Sequence, residues 1–133
     1  MTYLLDTDTC IAFLRGSHPR LRQRFLSLTN KDVIVPAPVR GELFYGAARS
    51  QNAKGTRQAV DSFLARFASL PFDDAAADAY GHIRAHLVTQ GTAIGPNDLL
   101  IAAITVTHQL TLVTHNTREF GRVPSLVLTD WMV

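Results

Sequence analysis

Four carboxylates in this 133-residue chain stand where solvation alone would not put them. Asp6 ends the apolar run YLL. Glu42 lies between Val39 and Leu43, in PVRGELFYGAARSQ. Asp98 stands at the start of the most apolar segment, PNDLLIAAITV. Glu119 follows a hydrophobic run in THNTREF. The chain has only eleven acids, and Glu42 and Glu119 are its only glutamates, so these placements are a large share of its negative charge. A carboxylate at the edge of an apolar core costs several kcal/mol unless it is paired, hydrogen-bonded or bound to a metal. Clustered carboxylates repel one another, and a hard cation removes that repulsion. A small acid set holding Mg²⁺ or Mn²⁺ points to phosphodiester hydrolysis. The ion would activate a water and stabilise charge on the phosphate and the leaving oxygen. Magnesium keeps several of its waters, so three or four acids are enough.

Each acid also has a plainer explanation. Asp98 suits a helix N-terminal dipole. Asp8 reads as the N-cap of the helix beginning CIAFL, with Thr7 competing for that place. Glu42 could pair with Arg40 or Arg49, and Glu119 could sit on a helix surface. Asp6 is hardest to explain away, because a strand delivers it to the sheet edge. The joint placement carries the reading.

The elements that must position these acids follow from periodicity and punctuation. Residues 1–5 read as a strand, and residues 9–15 as a short helix stopped by Gly16. Pro19 starts a second helix with Leu21, Phe25 and Leu28 at helical spacing. DVIVP, residues 32–36, is a second strand. Residues 38–51 are helical, QNAKG is a polar turn, and residues 56–69 form a fourth helix. LPF, residues 70–72, reads as a third strand. Asp73 caps a helix running to about Gln90, which Gly91 closes. After the loop GTAIGPND comes a helix over residues 99–108. LTLVTH and SLVLTDW hold the last two strands. Strands alternating with helices predict an α/β sandwich around a mostly parallel sheet. Ligands of such sheets sit beyond the carboxyl ends of the strands.

Composition sets the outer bounds. The length suits one domain, residues 1–133, with 47% hydrophobic and 18% charged residues. The single cysteine, Cys10, leaves no internal disulfide and reads as core. No apolar run approaches the roughly 18 residues of a membrane span, and no signal peptide is evident, so a cytoplasmic location is expected. The net charge is only +2, far from a strong nucleic-acid signature. The basic residues are nonetheless skewed: only Lys31 and Lys54 are lysines. Arginine's planar fork suits phosphates and carboxylates.

Three blocks together, YLLDTDTCIAFLRG, VPAPVRGELFYGAARS and GTAIGPNDLLIAAITVTHQLTLVTHNTREFGRVPSLVLTDW, resemble the PIN-domain ribonucleases, specifically the VapC toxins of bacterial type II toxin–antitoxin pairs. The resemblance covers essentially the whole chain. It implies a PIN-like three-layer α/β/α sandwich and a metal-dependent endoribonuclease that acts on structured RNA, often transfer RNA. It implies Mg²⁺, with Mn²⁺ as a substitute, held by Asp6, Glu42 and Asp98. It also implies a VapB-type antitoxin partner and a homodimer. Thr7 and Thr114 fall where the family uses hydroxyls to orient its acids, and Asp8 has a possible supporting role. The family's fourth acid falls after the fourth strand. Here that position is Asn116, an amide, with Glu119 three residues on. Either Glu119 supplies the charge, or Asn116 hydrogen-bonds a water or the phosphate. Phe13, Phe44 and Tyr45 fall near these acids in chain order and are candidates for docking an antitoxin helix.

Other chemistries fit less well. DTDTC approaches the nucleophile loop of phosphoaspartate enzymes, but that chemistry needs a later lysine, and none follows Lys54. A catalytically weak PIN-fold RNA-binding or interaction protein is the alternative that the amide at position 116 keeps open. His82 and His86 have zinc-like i, i+4 spacing without a third ligand, and read as a solvent face. PRLRQR sets Arg20 and Arg24 on one helical stripe, with Arg22 off it. That stripe could meet RNA phosphate or acidic residues of a partner, or simply be solvated.

Overall fold

A computed structural model describes residues 1–133. Strands β1 (Tyr3–Leu5), β2 (Val33–Ile34), β3 (Thr111–Val113) and β4 (Val127–Thr129) form one sheet in the order β2-β1-β3-β4. Every pairing is parallel, with Leu4 opposite both Ile34 and Leu112. Leu4, Leu5, Leu112 and Val113 have no solvent exposure. Such uninterrupted apolar strands are what a sheet covered on both faces requires.

Two helices, α1 (Thr7–Arg15) and α2 (Pro19–Leu26), connect β1 to β2. Four more, α3 (Ala37–Arg49), α4 (Ala53–Leu64), α5 (Asp74–Thr89) and α6 (Pro96–Thr107), connect β2 to β3. A short α7 (Thr117–Phe120) precedes β4. The chain steps outward from β1 to β2, then returns past β1 to β3. Helices α1, α2 and α4 meet in an aromatic cluster of Phe13, Phe25 and Phe63, while α5 packs along α6, which also meets β3. This is the expected α/β/α arrangement, with a sheet that is wholly parallel. The gap between the carboxyl ends of β1 and β3 is the point where the winding reverses, which is where ligands of such sheets bind. No helix is long and apolar enough to cross a membrane.

The segment 70–72 is not the third strand that its composition predicts. Only Ala68 bridges to Ile34, and the Val35 N–H donates to the Ala68 carbonyl at 3.1 Å. Pro71 has no N–H with which to extend a ladder. The Ala37 N–H still donates to the Leu70 carbonyl at 2.9 Å, and the Arg40 guanidinium reinforces this edge, donating to the carbonyls of Val35 at 2.8 Å and Phe67 at 2.9 Å. Helix α4 begins earlier than expected because Asn52 caps it, accepting from the Gly55 N–H at 3.2 Å. The expected polar turn QNAKG thus supplies that helix's first turn. Cys10 is fully buried, and burial pushes its thiol pKa well up, in keeping with a core role.

Candidate active site

The sheet delivers Asp6 directly. Its N–H donates to the Val113 carbonyl at 3.2 Å, which extends the β1–β3 ladder by one bond. Its backbone is extended, and its side chain accepts the Thr9 N–H at 2.9 Å. Asp6 is therefore the N-cap of α1. The N-cap role expected of Asp8 or Thr7 belongs to Asp6, because only the residue leaving the strand has the extended backbone a cap needs. Thr7 and Asp8 lie inside the first turn, and Asp8 is exposed.

Asp6 is 4% exposed. Burial raises its pKa, hydrogen bonds from Thr114 and Thr9 pull it back, and the charge of Asp8 pushes it further up. Thr114 follows β3 and has no exposure. Thr9, which the sequence reading missed, donates its hydroxyl to the Val113 carbonyl at 3.2 Å. It is Thr9 and Thr114, not Thr7, that position Asp6. The D-x-x-T spacing of a capped helix was the available signal for Thr9.

Asp98 comes from the opposite side, in the first turn of α6. Burial lifts its pKa to about 6, and the charges of Glu119, Asp6 and Asp8 each add to the rise. These carboxylates feel one another. Asn116 and Glu119 join the two sides. The Asn116 N–H donates to the Thr114 hydroxyl at 3.0 Å. The Asn116 side-chain amide donates to Glu119 at 2.9 Å, and the other Glu119 oxygen accepts the Gly95 N–H at 2.9 Å. Gly95 is the N-cap of α6 and has no side chain to offer, so Glu119 ties down the start of the helix that carries Asp98. Those two bonds, Asn116 first, hold the Glu119 pKa below the usual range. The amide and the acid work together rather than as alternatives.

Glu42 stands apart from this group. It pairs with neither Arg40 nor Arg49; the former holds backbone carbonyls, and the latter donates to the Tyr45 hydroxyl. Glu42 instead accepts a hydrogen bond from the Asn97 side chain, beside Asp98. Asn97 had no signal in the sequence beyond that adjacency. No three of the acids are drawn together as a ready-made cage. The donor set is hard oxygen throughout, and the ionised forms of Asp6 and Asp98 lack a compensating cation. Both features fit a divalent hard cation that takes one or two carboxylates and keeps its waters. Asp6 and Asp98 are the acids whose charges meet, while Glu42 turns to Asn97 on the rim.

The aromatic residues divide by packing. The Phe13 ring lies 4.1 Å from that of Phe25 and 5.5 Å from that of Phe63, so it serves the contact between α1, α2 and α4. The Arg57 guanidinium covers Phe44 at 3.9 Å. Tyr45 is exposed. His82 is exposed beside Asp78, as a solvent face should be.

Replacing Glu119 with Gln tests the joining network. The shape is kept and the charge is lost. The expected result is a downward shift of the Asp98 pKa, since one repelling charge is gone, read by NMR titration of the metal-free protein. An unmoved Asp98 titration would show that the two do not communicate.

A profile of the PIN domain family matches residues 3–126. The tRNA(fMet)-specific endonuclease VapC of Salmonella typhimurium is 35% identical to this chain, over 98% of each. Ribonuclease VapC2 of Rickettsia felis is also 35% identical, again over 98% of each. The crystal structure of DNA-bound VapBC from Salmonella typhimurium superposes with a TM-score of 0.93, covering 98% of both chains. With strand-end Asp6, helix-borne Asp98 and the Asn116–Glu119 link between them, the chain belongs to the PIN domain family, and within it to the VapC ribonucleases.

Proposed function

We propose that this chain is a single PIN domain that acts as an Mg²⁺-dependent endoribonuclease toxin. It cleaves structured RNA, with transfer RNA the favoured substrate, and so inhibits translation in the cytoplasm. The observation that carries the reading is the meeting of Asp6 and Asp98 at the β1–β3 switch point, each with a burial-raised pKa. Mn²⁺ is the expected substitute ion. When bound, the cation supplies an activated water and neutralises charge developing on the phosphate.

The rest of the chemistry lies with the chain. Asp6 and Asp98 hold the ion. Thr114 and Thr9 orient Asp6 by hydrogen bonding. Asn116 and Glu119 fix the start of α6, and with it Asp98. Glu42, held by Asn97, lies where it can hydrogen-bond a water approaching from the α3 side. No side-chain nucleophile is required.

A VapB-type antitoxin is the proposed partner, and a homodimer the proposed assembly. A groove of about 660 Å³ runs between α1, α3 and α4, with Ile11, Leu14, Leu43 and Val60 in its walls and Glu42 on its margin. An apolar antitoxin segment lying there would end at the acids. None of the aromatic candidates lines this groove: Tyr45 is exposed on α3, Arg57 covers Phe44, and Phe13 packs on Phe25 and Phe63.

The test is incubation of antitoxin-free protein with bulk cellular RNA in Mg²⁺, in Mn²⁺ and in EDTA. A few discrete fragments, absent in EDTA, are expected. RNA left intact with either ion would overturn the nuclease reading in favour of a non-catalytic RNA-binding or interaction protein.

A further inference from the structure

Helix α2 carries an arginine stripe that the catalytic site does not use. Arg20, Gln23 and Arg24 form one wall of a cleft of about 480 Å³, and Asp130 and Trp131, just past β4, form the other. Neither arginine has an acidic partner; the ion pairs of the chain are Arg57–Asp61, His82–Asp78 and His115–Asp130. The guanidinium of Arg24 lies 5.6 Å from the centre of the Trp131 ring. The acid on the far wall is already occupied. One Asp130 oxygen meets Nδ1 of His115 at 2.8 Å, and the other accepts the Met132 N–H at 2.9 Å. The cleft therefore presents two arginines without an acidic partner, facing one carboxylate whose two oxygens are already hydrogen-bonded.

A second observation comes from Trp131. Its indole Nε1–H is the one buried side-chain polar atom in the chain without a hydrogen-bond partner. An indole can only donate, so what it lacks is an acceptor oxygen. The indole Nε1 is buried within the fold, Trp131 being 1% exposed, so the ring backs the cleft, and the two unpaired arginines are what the cleft offers to an oxyanion. Arginine's fork matches phosphate geometry in a way that lysine's point charge does not.

The location identifies the anion. His115 stands between Thr114, which bonds Asp6, and Asn116, which bonds Glu119. Through its bond to Asp130, His115 connects the carboxylate site to the cleft along the carboxyl ends of β3 and β4. A nucleic-acid strand laid across that edge would present one phosphate to Asp6 and Asp98, and another farther along to the arginines.

We propose that Arg20 and Arg24, the latter set over the Trp131 ring, form a phosphate subsite for substrate RNA, remote from the scissile bond, with His115 lining the path between the two sites. This rests on the ribonuclease reading above. The subsite positions substrate and takes no part in bond cleavage.

Trp131 is the only tryptophan, so its fluorescence reports on the cleft alone. The experiment titrates bulk transfer RNA into the protein in EDTA, where cleavage is blocked, and follows Trp131 emission against salt. Wild type is compared with Arg20→Gln and with Arg20→Gln/Arg24→Gln. Arg22→Gln serves as a control on the same helix, since Arg22 lines a different cleft, with Phe13 and Phe25. The expected result is an RNA-dependent change in emission that the double variant loses. The salt slope of binding should be shallower by about one for the lost phosphate contact. In Mg²⁺, KM should rise roughly tenfold with kcat unchanged, because remote contacts bind ground and transition states alike. Arg20→Gln, which leaves the Arg24–Trp131 stack intact, should show the same trend. A double variant with wild-type slope and KM would overturn the subsite while leaving the ribonuclease reading intact. A wild type that neither binds nor cleaves RNA would overturn both. An oligoglutamate peptide that shifts Trp131 emission where RNA does not would overturn the proposal in favour of a protein partner.

Discussion

Replacing Asp6 with Asn is expected to lower RNA cleavage roughly a thousandfold, the scale on which removing one preorganised charge-stabilising group acts, and to leave the protein folded. The reason is that Asp6 does two jobs. Under the proposed function its charge holds the ion, and in the structure its Oδ1 caps α1 by accepting the Thr9 N–H. Asparagine keeps an acceptor and is as good a cap as aspartate, so the helix survives. The ionised group is buried and its pKa is raised, so at neutral pH it costs the fold stability that the amide recovers. The melting temperature of Asp6→Asn should therefore equal or exceed that of the wild type without metal. Asp6→Ala should be equally inactive but lose the cap, at about 1 kcal/mol. Comparing the two variants by thermal melting and by cleavage rate separates the jobs. An Asp6→Asn protein that cleaves within about tenfold of wild type would remove Asp6 from the catalytic group.

The second large effect concerns pH and the ion together. Asp98 has an ordinary pKa of 3.8 and is lifted to about 6 in the fold. Between those values the folded protein holds a proton that the unfolded chain does not. Stability from this group therefore increases as pH falls from about 7 to about 4, and is lost again as pH rises through the folded pKa. Asp6, Asp8 and Glu119 face Asp98 and keep the cost of its charge high. A divalent ion competes with that proton. In EDTA, the difference in melting temperature between wild type and Asp98→Asn should be largest near neutral pH, with the variant the more stable, and should shrink on acidification. In Mg²⁺, the ion's stabilisation of wild type should fade below about pH 6, and cleavage should fall along the same limb. Asp98→Asn should lose the ion-dependent gain at every pH. A wild type and variant with parallel melting curves across this range would show that Asp98 bears no such penalty.

The two acids at the centre of these predictions were legible in the sequence because each broke a local pattern. Asp6 ended an apolar strand and Asp98 opened an apolar helix, and neither position is one that solvation prefers. The arrangement between them was not legible. Which residue capped α1 depended on where the strand ended, and LTLVTH and YLL had to pair before Thr114 could reach Asp6. The third strand expected over 70–72 failed for a similar reason. Its composition suited a strand, but its pairing with the segment after β2 stops at the Leu70 carbonyl, and Pro71 has no N–H to extend it.

Local composition and periodicity by themselves determined the α/β class, the positions of most helices and the candidate acids, because these depend on near neighbours and on the burial preference of each side chain. Only the tertiary structure decided that Glu119 secures the start of α6 and that Glu42 turns to Asn97. Phe13 likewise was set against the core, half-buried, only by the helices that close on it. Each of these outcomes rests on hydrogen bonds or packing between segments far apart in the chain. No local pattern encodes such contacts, because their partners meet only when the crossover from β2 to β3 brings β3 beside β1.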